Sequence, residues 1–419
     1  MSDLKEYVEA CGHRAKRASH QLALIKTDQK NKILLAMAEE LESSAKPILE
    51  ENQKDVADGK QDGLTGALID RLTLDDARFA SMVQGLRELA EAEDFVGTEL
   101  SQFERPNGLV ISKVCVPVGV IGMIFESRPN VTADAAGLCF RSSNAVILRG
   151  GKESSRSNKA ICDALIKGGK KEGLPDGAIQ LLERTEREGV KHLVQLVGLV
   201  DLVVPRGGEG LIRAVADMAK VPVLKHYKGV CHIYVDKSAS LKQAIDICIN
   251  AKAQRPSACN AMETLLVDSE IAQEFLPAVI TELEQSNVEL LGDSQVCKLV
   301  AGASLAKEVD WDTEYLDLKL SIKIVDGVTE AIDHINQYGS LHTEAILAED
   351  QAAITLFESA VDAGVIMVNA STRFNDGSEF GMGAEIGIST DKIHARGPVG
   401  AQGLTTYKYL VRGEGQIRQ

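Results

Sequence analysis

Positive charge is in short supply: 46 Lys and Arg stand against 61 Asp and Glu, a formal net charge of −15. Such a surface repels phosphate backbones and anionic headgroups, which argues against nucleic acid and membrane as partners. Long apolar runs are missing as well. No stretch approaches the roughly 18 unbroken apolar residues of a spanning helix, and Met1-Ser2-Asp3-Leu4-Lys5-Glu6 has no apolar signal region, so a cytoplasmic location is expected. The eight cysteines form no Cys-x-x-Cys pair and no Cys/His cluster at metal-ligand spacing, so free thiols and no metal are expected. Neither an internal repeat nor a low-complexity tract occurs. What is present is 44% hydrophobic content over 419 residues, enough for two or three domains with a sizeable core and incompatible with disorder.

The texture of the chain changes once. Up to about residue 90 it is charged and helical in period, with Ile25, Ile33, Leu34, Ala38, Leu41 and Ile48 at helical steps and Thr73 ahead of an amphipathic run from Leu74 to Leu89. From Val114 short apolar runs alternate with helical patterns. Strands are expected at Val114 to Phe125, Ala145 to Leu148, Ala178 to Leu182, Leu202 to Val204 and Val221 to Leu224. A second series follows at His232 to Val235, Glu263 to Val267, Ile322 to Val325, Glu344 to Ala348 and Val365 to Asn369. Strand and helix at this spacing imply parallel crossover units, hence two doubly wound α/β domains in series. Gly108 to Val116 and Leu404 to Val411 also read as strands, without an obvious partner nearby, and such strands often pair across a subunit interface.

The Gly-x-Gly-x-x-Gly fingerprint is absent after every expected strand, which makes a standard dinucleotide site improbable. Two other segments draw the eye. Leu148-Arg149-Gly150-Gly151-Lys152-Glu153-Ser154-Ser155 ends a strand in glycines, basic groups and hydroxyls at a helix start, and Val204-Pro205-Arg206-Gly207-Gly208-Glu209-Gly210 repeats that logic. Either alone is equally well a tight strand-to-helix turn or a phosphate cradle, and two on one sheet favour a phosphorylated ligand. Gly397, Gly400 and Gly403 precede a strand and read as loop.

Seven cysteines fall inside apolar patterns and read as small buried hydrophobes. Cys259 differs. Its surroundings, Gln254-Arg255-Pro256-Ser257-Ala258-Cys259-Asn260-Ala261, form a non-periodic polar loop running into a strand, where backbone amides and Arg255 favour the nucleophilic thiolate. Packing remains the alternative reading. No histidine can be paired with Cys259 from sequence, so a Cys-His hydrolase also stays open at this point.

Taken in order, Pro117-Val118-Gly119-Val120-Ile121-Gly122 leading into Arg128-Pro129-Asn130, then Asn144-Ala145-Val146-Ile147-Leu148-Arg149, then the Cys259 loop, the chain resembles the aldehyde dehydrogenase superfamily over nearly its whole length. Ala331 to Ile346 and Asn369 to Gly377, with His394-Ala395-Arg396-Gly397-Pro398 and Leu404-Thr405-Thr406-Tyr407-Lys408, resemble the branch that reduces γ-glutamyl phosphate. The fold this implies is two Rossmann-like doubly wound domains plus a small β oligomerisation element. Residues 1–100 and 117–229 would bind cofactor, 230–400 would carry catalysis, and 101–116 with 401–419 would join subunits of a homo-oligomer. The implied reaction is the NADPH-dependent reduction of L-γ-glutamyl 5-phosphate to L-glutamate 5-semialdehyde and phosphate, a step of proline biosynthesis, with possible passage of the substrate from a glutamate 5-kinase. Cys259 would form a thioester, its oxyanion held by the Cys259 amide and Asn130.

Two departures from the oxidising members bear on direction and cofactor. Where those carry a general-base Glu, this chain reads Pro222-Val223-Leu224-Lys225-His226-Tyr227-Lys228-Gly229, with Lys225 near the Glu position. Without an activated water, expelling phosphate and then reducing the thioester is favoured. Where many NAD users place a Glu for the ribose hydroxyls, this chain has Arg149 and Lys152, cations that attract a 2′-phosphate and imply NADPH over NADH. Ser154, Gly207, Gly208 and Glu314 complete the expected cofactor set, although Asp317-Leu318-Lys319 replaces the Gly-Pro that usually follows such a Glu. Arg128, Lys225, His226, Arg255, Arg373, Asn375 and Asp376 are expected to bind the substrate, with the cations around Lys225 at the leaving phosphate and Arg373, Asn375 and Asp376 at the α-carboxylate and ammonium.

Overall fold

The computed structural model describes residues 2–418, which fold as two compact units. The first comprises the chain up to Lys225 together with Gly381–Gly387 and everything from Ile393 onward; the second runs from His226 to Phe380 and includes Ile388–Lys392. The division thus falls at Lys225, and residues 393–400 go with the first unit.

Helical periodicity in the opening segment produces five helices in the first unit: Ser2–Leu22, Thr27–Ser43, Ala45–Gln61, Gly66–Leu72 and Asp76–Glu91. Ile33, Leu34, Met37, Ala38 and Leu41 share one fully buried face, as steps of three and four dictate. The last helix starts later than Thr73. Asp75 is its N-cap and accepts the Arg78 N–H at 2.7 Å, while Thr73 closes the helix before. Strands β1 (Glu99–Glu104), β2 (Val110–Pro117), β3 (Val120–Phe125), β4 (Ala145–Arg149), β5 (Ile179–Leu181) and β6 (Leu202–Arg206) follow. Four of them form a parallel sheet in the order β5-β4-β3-β6.

The expected single strand from Val114 to Phe125 is two strands in two sheets. The break lies at Val118-Gly119, where Gly119 has φ +131° and the Asp201 carboxylate fills the space a side chain would need. The expected strand at Val221 to Leu224 shrinks to a bridge between Val203 and Val223, since Pro222 has no N–H to offer a ladder.

In the second unit β7 (Cys231–Val235), β8 (Met262–Asp268), β9 (Glu289–Gly292), β10 (Ser304–Leu305), β11 (Lys319–Val325), β12 (Thr343–Leu347) and β13 (Val365–Val368) make a parallel sheet in the order β10-β9-β11-β8-β7-β12-β13. Ile233 and Val235 enter one apolar cluster and Tyr234 another. Alternate side chains of one strand therefore serve the two faces, each covered by helices.

A final strand, β14 (Thr405–Arg412), pairs antiparallel with β2, which also pairs with β1. The two strands that read as unpartnered thus pair with each other within the chain, and β2 has the near neighbour β1 on its other side. All six residues of β1 are exposed, so it lacks the apolar alternation that marks a half-buried strand.

Candidate active site

In the first unit the cofactor-side residues gather at the carboxyl ends of parallel strands. Arg149 ends β4 and Arg206 ends β6, paired with Ile124 and Phe125 of the β3 between them. This is the edge at which open α/β sheets bind ligands. A cleft of about 210 Å³ opens beside β4, with Gly150, Gly151, Ser155, Asn158 and Thr185 in its wall. Lys152 is exposed beside it. Arg149 is half-buried and its guanidinium serves the backbone, donating to the carbonyls of Gly150 at 2.9 Å and Thr185 at 2.7 Å. Ser154 is buried, its hydroxyl donating to Gly151 O at 3.3 Å and accepting from Asn158 at 2.9 Å, so it supports the turn from behind.

A carboxylate is engaged at each turn: one leaves the first turn for Ser127, and one occupies a donor of the second. Glu153 Oε1 accepts from the Ser127 N–H at 2.9 Å and its hydroxyl at 2.6 Å, and Glu126 Oε2 accepts the Gly208 N–H at 3.0 Å. The segment at Gly207 and Gly208 is thus a tight turn closed on Glu126, whose carboxylate fills the space above Gly207. Asn130 Nδ2 donates to Asp134 Oδ2 at 2.8 Å, and burial raises the Asp134 carboxyl to about 6 against the pull of Asn130 and Arg206. The amide expected at the oxyanion is engaged within its own helix turn. Arg128 is half-buried.

The second unit holds the thiol. Cys259 sits half-buried in the loop between helix Leu241–Ala253 and β8. Lys252 before the loop and Glu263 after it form a fully buried pair at 2.6 Å that fastens its two ends. Burial raises Glu263 to about 7 and lowers Lys252, so the pair's attraction only partly offsets its desolvation. Glu314, half-buried, adds its charge to the environment of Glu263.

Several side chains converge on this loop. Cys231 donates its thiol proton to the Cys259 carbonyl at 3.3 Å, and burial holds that thiol far above the usual range. Arg373 donates to Gln254 Oε1 at 2.9 Å and to Asn260 Oδ1, and Asn260 Nδ2 returns a bond to the Asn375 carbonyl at 2.9 Å. Burial lowers Arg373, with the nearby Arg255 adding to the effect. Asp376 is pushed up by burial, but bonds from Ser378 and the Glu379 amide outweigh this and hold it anionic. Asn375 is fully buried and donates to Thr343 Oγ1 at 2.6 Å, a supporting position and not one facing a substrate. Lys225, half-buried, ends the first unit.

Two histidines, unpairable from sequence, stand beside the thiol. A nitrogen of His226, the Cys259 sulfur and a nitrogen of His342 all lie within 4.8 Å of one another. The His226 and His342 rings meet edge to face with centroids 5.6 Å apart, and His342 Nδ1 lies 2.7 Å from Thr343 Oγ1. His342 was missed as a site residue. Its one signal was its place just before β12, preceded by Leu341 at φ +62°, a strained backbone for a branched side chain. Cys231, Met262 and Thr343 each begin a strand, so this cluster lies at the amino edge of its sheet, opposite to the edge the doubly wound rule selects. Cys297, expected in the core, is half-buried on a short helix, Val296–Leu299.

A family model described as aldehyde dehydrogenase family matches residues 2–307. A gamma-glutamyl phosphate reductase from Caldanaerobacter subterraneus subsp. tengcongensis is 50% identical over 412 residues, 98% of this chain and 100% of its own. One of the same name from Thermodesulfovibrio yellowstonii is 47% identical, with 100% of each chain covered. The crystal structure of the Thermotoga maritima gamma-glutamyl phosphate reductase superposes with a TM-score of 0.96 at 44% identity, covering 98% of this chain and 100% of that one. An acetylating aldehyde dehydrogenase from Geobacillus thermoglucosidasius, 18% identical, shares the fold at a TM-score of 0.68 over 100% of this chain and 98% of its own. With a loop cysteine ahead of a parallel strand in one unit, a glycine-ended strand in the other and likeness running from end to end, the chain belongs to the aldehyde dehydrogenase family.

Proposed function

We propose that this chain reduces L-γ-glutamyl 5-phosphate to L-glutamate 5-semialdehyde with release of phosphate, by way of a thioester on Cys259, the second step of proline biosynthesis from glutamate. The observation that carries this reading is the half-buried thiol of Cys259 flanked by two imidazoles and a guanidinium, in a chain whose full-length relatives bear the name of that activity. The family works with NAD or NADP; the reading here is NADPH, supported by the exposed cation of Lys152, which suits a 2′-phosphate, and by Glu153 being drawn away to Ser127.

His226 and His342 stand within 4.8 Å of the Cys259 sulfur, a span that one bridging water or a small side-chain rotation closes for proton transfer. The thiolate attacks the acyl carbon, and the backbone N–H of Cys259 is the donor assigned to the oxyanion that forms. Arg255, exposed on the same loop, offers charge to the departing phosphate. Arg373, fixed by Gln254 and Asn260, suits the α-carboxylate of the glutamyl group, and Asp376 its ammonium. NADPH supplies, when bound, the hydride that reduces the thioester; the cleft beside β4, with its glycine walls and basic rim, fits one end of such a cofactor. As the aldehyde forms, the sulfur leaves carbon and returns to the care of the two imidazoles.

The sheet of β1, β2 and β14 exposes Leu100, Phe103, Tyr407, Tyr409 and Val411, the kind of surface a homo-oligomer covers. A soluble acyl phosphate also favours transient contact with the glutamate 5-kinase that makes it, in the cytoplasm. Among the described residues no helix is long and apolar enough to cross a membrane.

The decisive experiment runs the reaction backward with glutamate semialdehyde, NADP⁺ and phosphate. NADPH should form only when phosphate is present. Phosphate-independent turnover would mean that the histidines activate water and that the chain hydrolyses its thioester.

A further inference from the structure

We propose that His226, Cys259 and His342 form a site for a thiophilic divalent cation of the zinc or cadmium type, which when filled takes the thiol out of reaction. One thiol and two imidazoles within 4.8 Å of one another make a borderline-soft donor set of the kind zinc selects. A tetrahedral zinc, with bonds of about 2.3 Å to sulfur and 2.0–2.1 Å to nitrogen, needs its donors roughly 3.3–3.6 Å apart. Closing that gap takes up to about 1.2–1.5 Å of side-chain movement, and the two half-buried members, His226 and Cys259, have room to supply it.

The third donor is held in place. His342 is buried, and Thr343 Oγ1 lies against its Nδ1 at 2.7 Å while itself receiving the Asn375 amide at 2.6 Å. A second partner that fixes ring orientation is what ligating histidines commonly have. Three protein ligands leave a fourth position for water, the arrangement of an open and exchangeable site. On binding, the S–H bond breaks, a sulfur–metal bond forms and one proton passes to solvent; nothing is oxidised or reduced. The guanidinium of Arg373 lies close enough to Cys259 to feel its charge and so opposes the cation. The site is therefore weaker than a structural zinc site and opens to a chelator.

The consequence for catalysis rests on Cys259 being the nucleophile, but the binding does not, and the two are tested separately. The purified full-length chain is titrated with Cd²⁺ while the ultraviolet charge-transfer band of a cadmium thiolate is followed, and with Zn²⁺ against a chromophoric chelator. One equivalent should bind. The band should vanish in Cys259→Ser, and affinity should fall at least about tenfold in His226→Ala, a half-buried position whose change spares the core that His342→Ala disturbs. Bound zinc should block alkylation of Cys259 by iodoacetamide, and EDTA should restore it. A band retained in Cys259→Ser, or unchanged affinity in His226→Ala, overturns the proposal. Phosphate-dependent reductase activity in a protein that gives no band also sinks it while leaving the reductase reading intact, and a band without that activity does the reverse.

Discussion

The carbonyl oxygen of Cys259 occupies the place where a Cβ on Gly229 would have to stand. The segment that brings His226 to the thiol is thereby pressed against the loop that carries it, backbone to backbone, and only glycine permits the approach. Gly229→Ala must push the Cys259 loop aside. A displacement of about 1 Å at a nucleophile costs on the order of 100-fold in rate. Steady-state assays should show kcat reduced by one to two orders of magnitude, and a kcat within twofold of the parent would mean that the loop yields freely.

Cys259→Ser tests the covalent route. Serine keeps the shape but not the acidity or nucleophilicity of the thiol, so kcat should drop by at least about 10³-fold. The thermal midpoint should hardly move, because the side chain is half-buried and lies outside the apolar clusters. Quench-flow with mass spectrometry should then find no acylated protein.

How far the sequence carries the reader differs between the two units. The parallel strands of the second unit announce themselves as apolar runs because both faces are covered, and Cys259 stands out because its loop has no period. β1 stays hidden since every residue of it is exposed. His342 stays hidden for another reason. It is 83 residues beyond Cys259 in a string that carries no chemical pattern, and only the parallel pairing of β12 with β7 returns it to the thiol. The same holds for Glu126 at Gly208, where a turn that reads as an anion cradle has already found its anion within the chain, and for Glu153, which leaves its own turn for Ser127.

Arg373 holds its place through Gln254 and Asn260, both in the Cys259 loop or its approach. If it receives the α-carboxylate, removing its charge-assisted bonds costs about 1.5–3 kcal/mol. Arg373→Ala should raise KM for glutamyl phosphate roughly 10- to 100-fold and leave KM for cofactor unaltered. Arg373→Lys should recover part of the loss. A rise in cofactor KM alone would remove the residue from the substrate.

Lys152 is the exposed cation of its turn, while Arg149 turns its two terminal nitrogens to the carbonyls of Gly150 and Thr185. Cofactor choice should therefore turn on Lys152. Lys152→Glu replaces attraction for a 2′-phosphate by repulsion and should shift the NADPH to NADH ratio of kcat/KM at least about tenfold toward NADH. Arg149→Lys should instead lower stability, through loss of its forked contact. An unchanged cofactor ratio in the Lys152 variant would assign discrimination elsewhere.

His334 ties acid stability to one ring. It is 4% exposed, lies against Trp311, Tyr338 and His232, and burial with the nearby charges of His232 and Lys323 lowers it to about 3 from an ordinary 6.5. In the unfolded chain the ring takes up a proton near pH 6.5, whereas in the fold it stays neutral until about 3. Stability is therefore whole above pH 6.5 and is lost as pH falls through that window, by up to about 4–5 kcal/mol at its lower end. Glu263, raised to about 7, works in the opposite sense between pH 7 and 4.5, since the fold binds its proton first. Asp134, raised to about 6, acts in the same sense as Glu263, so the slope of the parent protein alone mixes these groups with the histidine, and the comparison with His334→Phe isolates it. Trp311 is the only tryptophan and packs 5.4 Å from the His334 ring, so its fluorescence reports urea unfolding locally. From pH 7.5 to pH 5 the parent should lose about 2 kcal/mol more than the phenylalanine variant. Parallel pH profiles in the two proteins would show that the ring is protonated as readily in the fold as out of it.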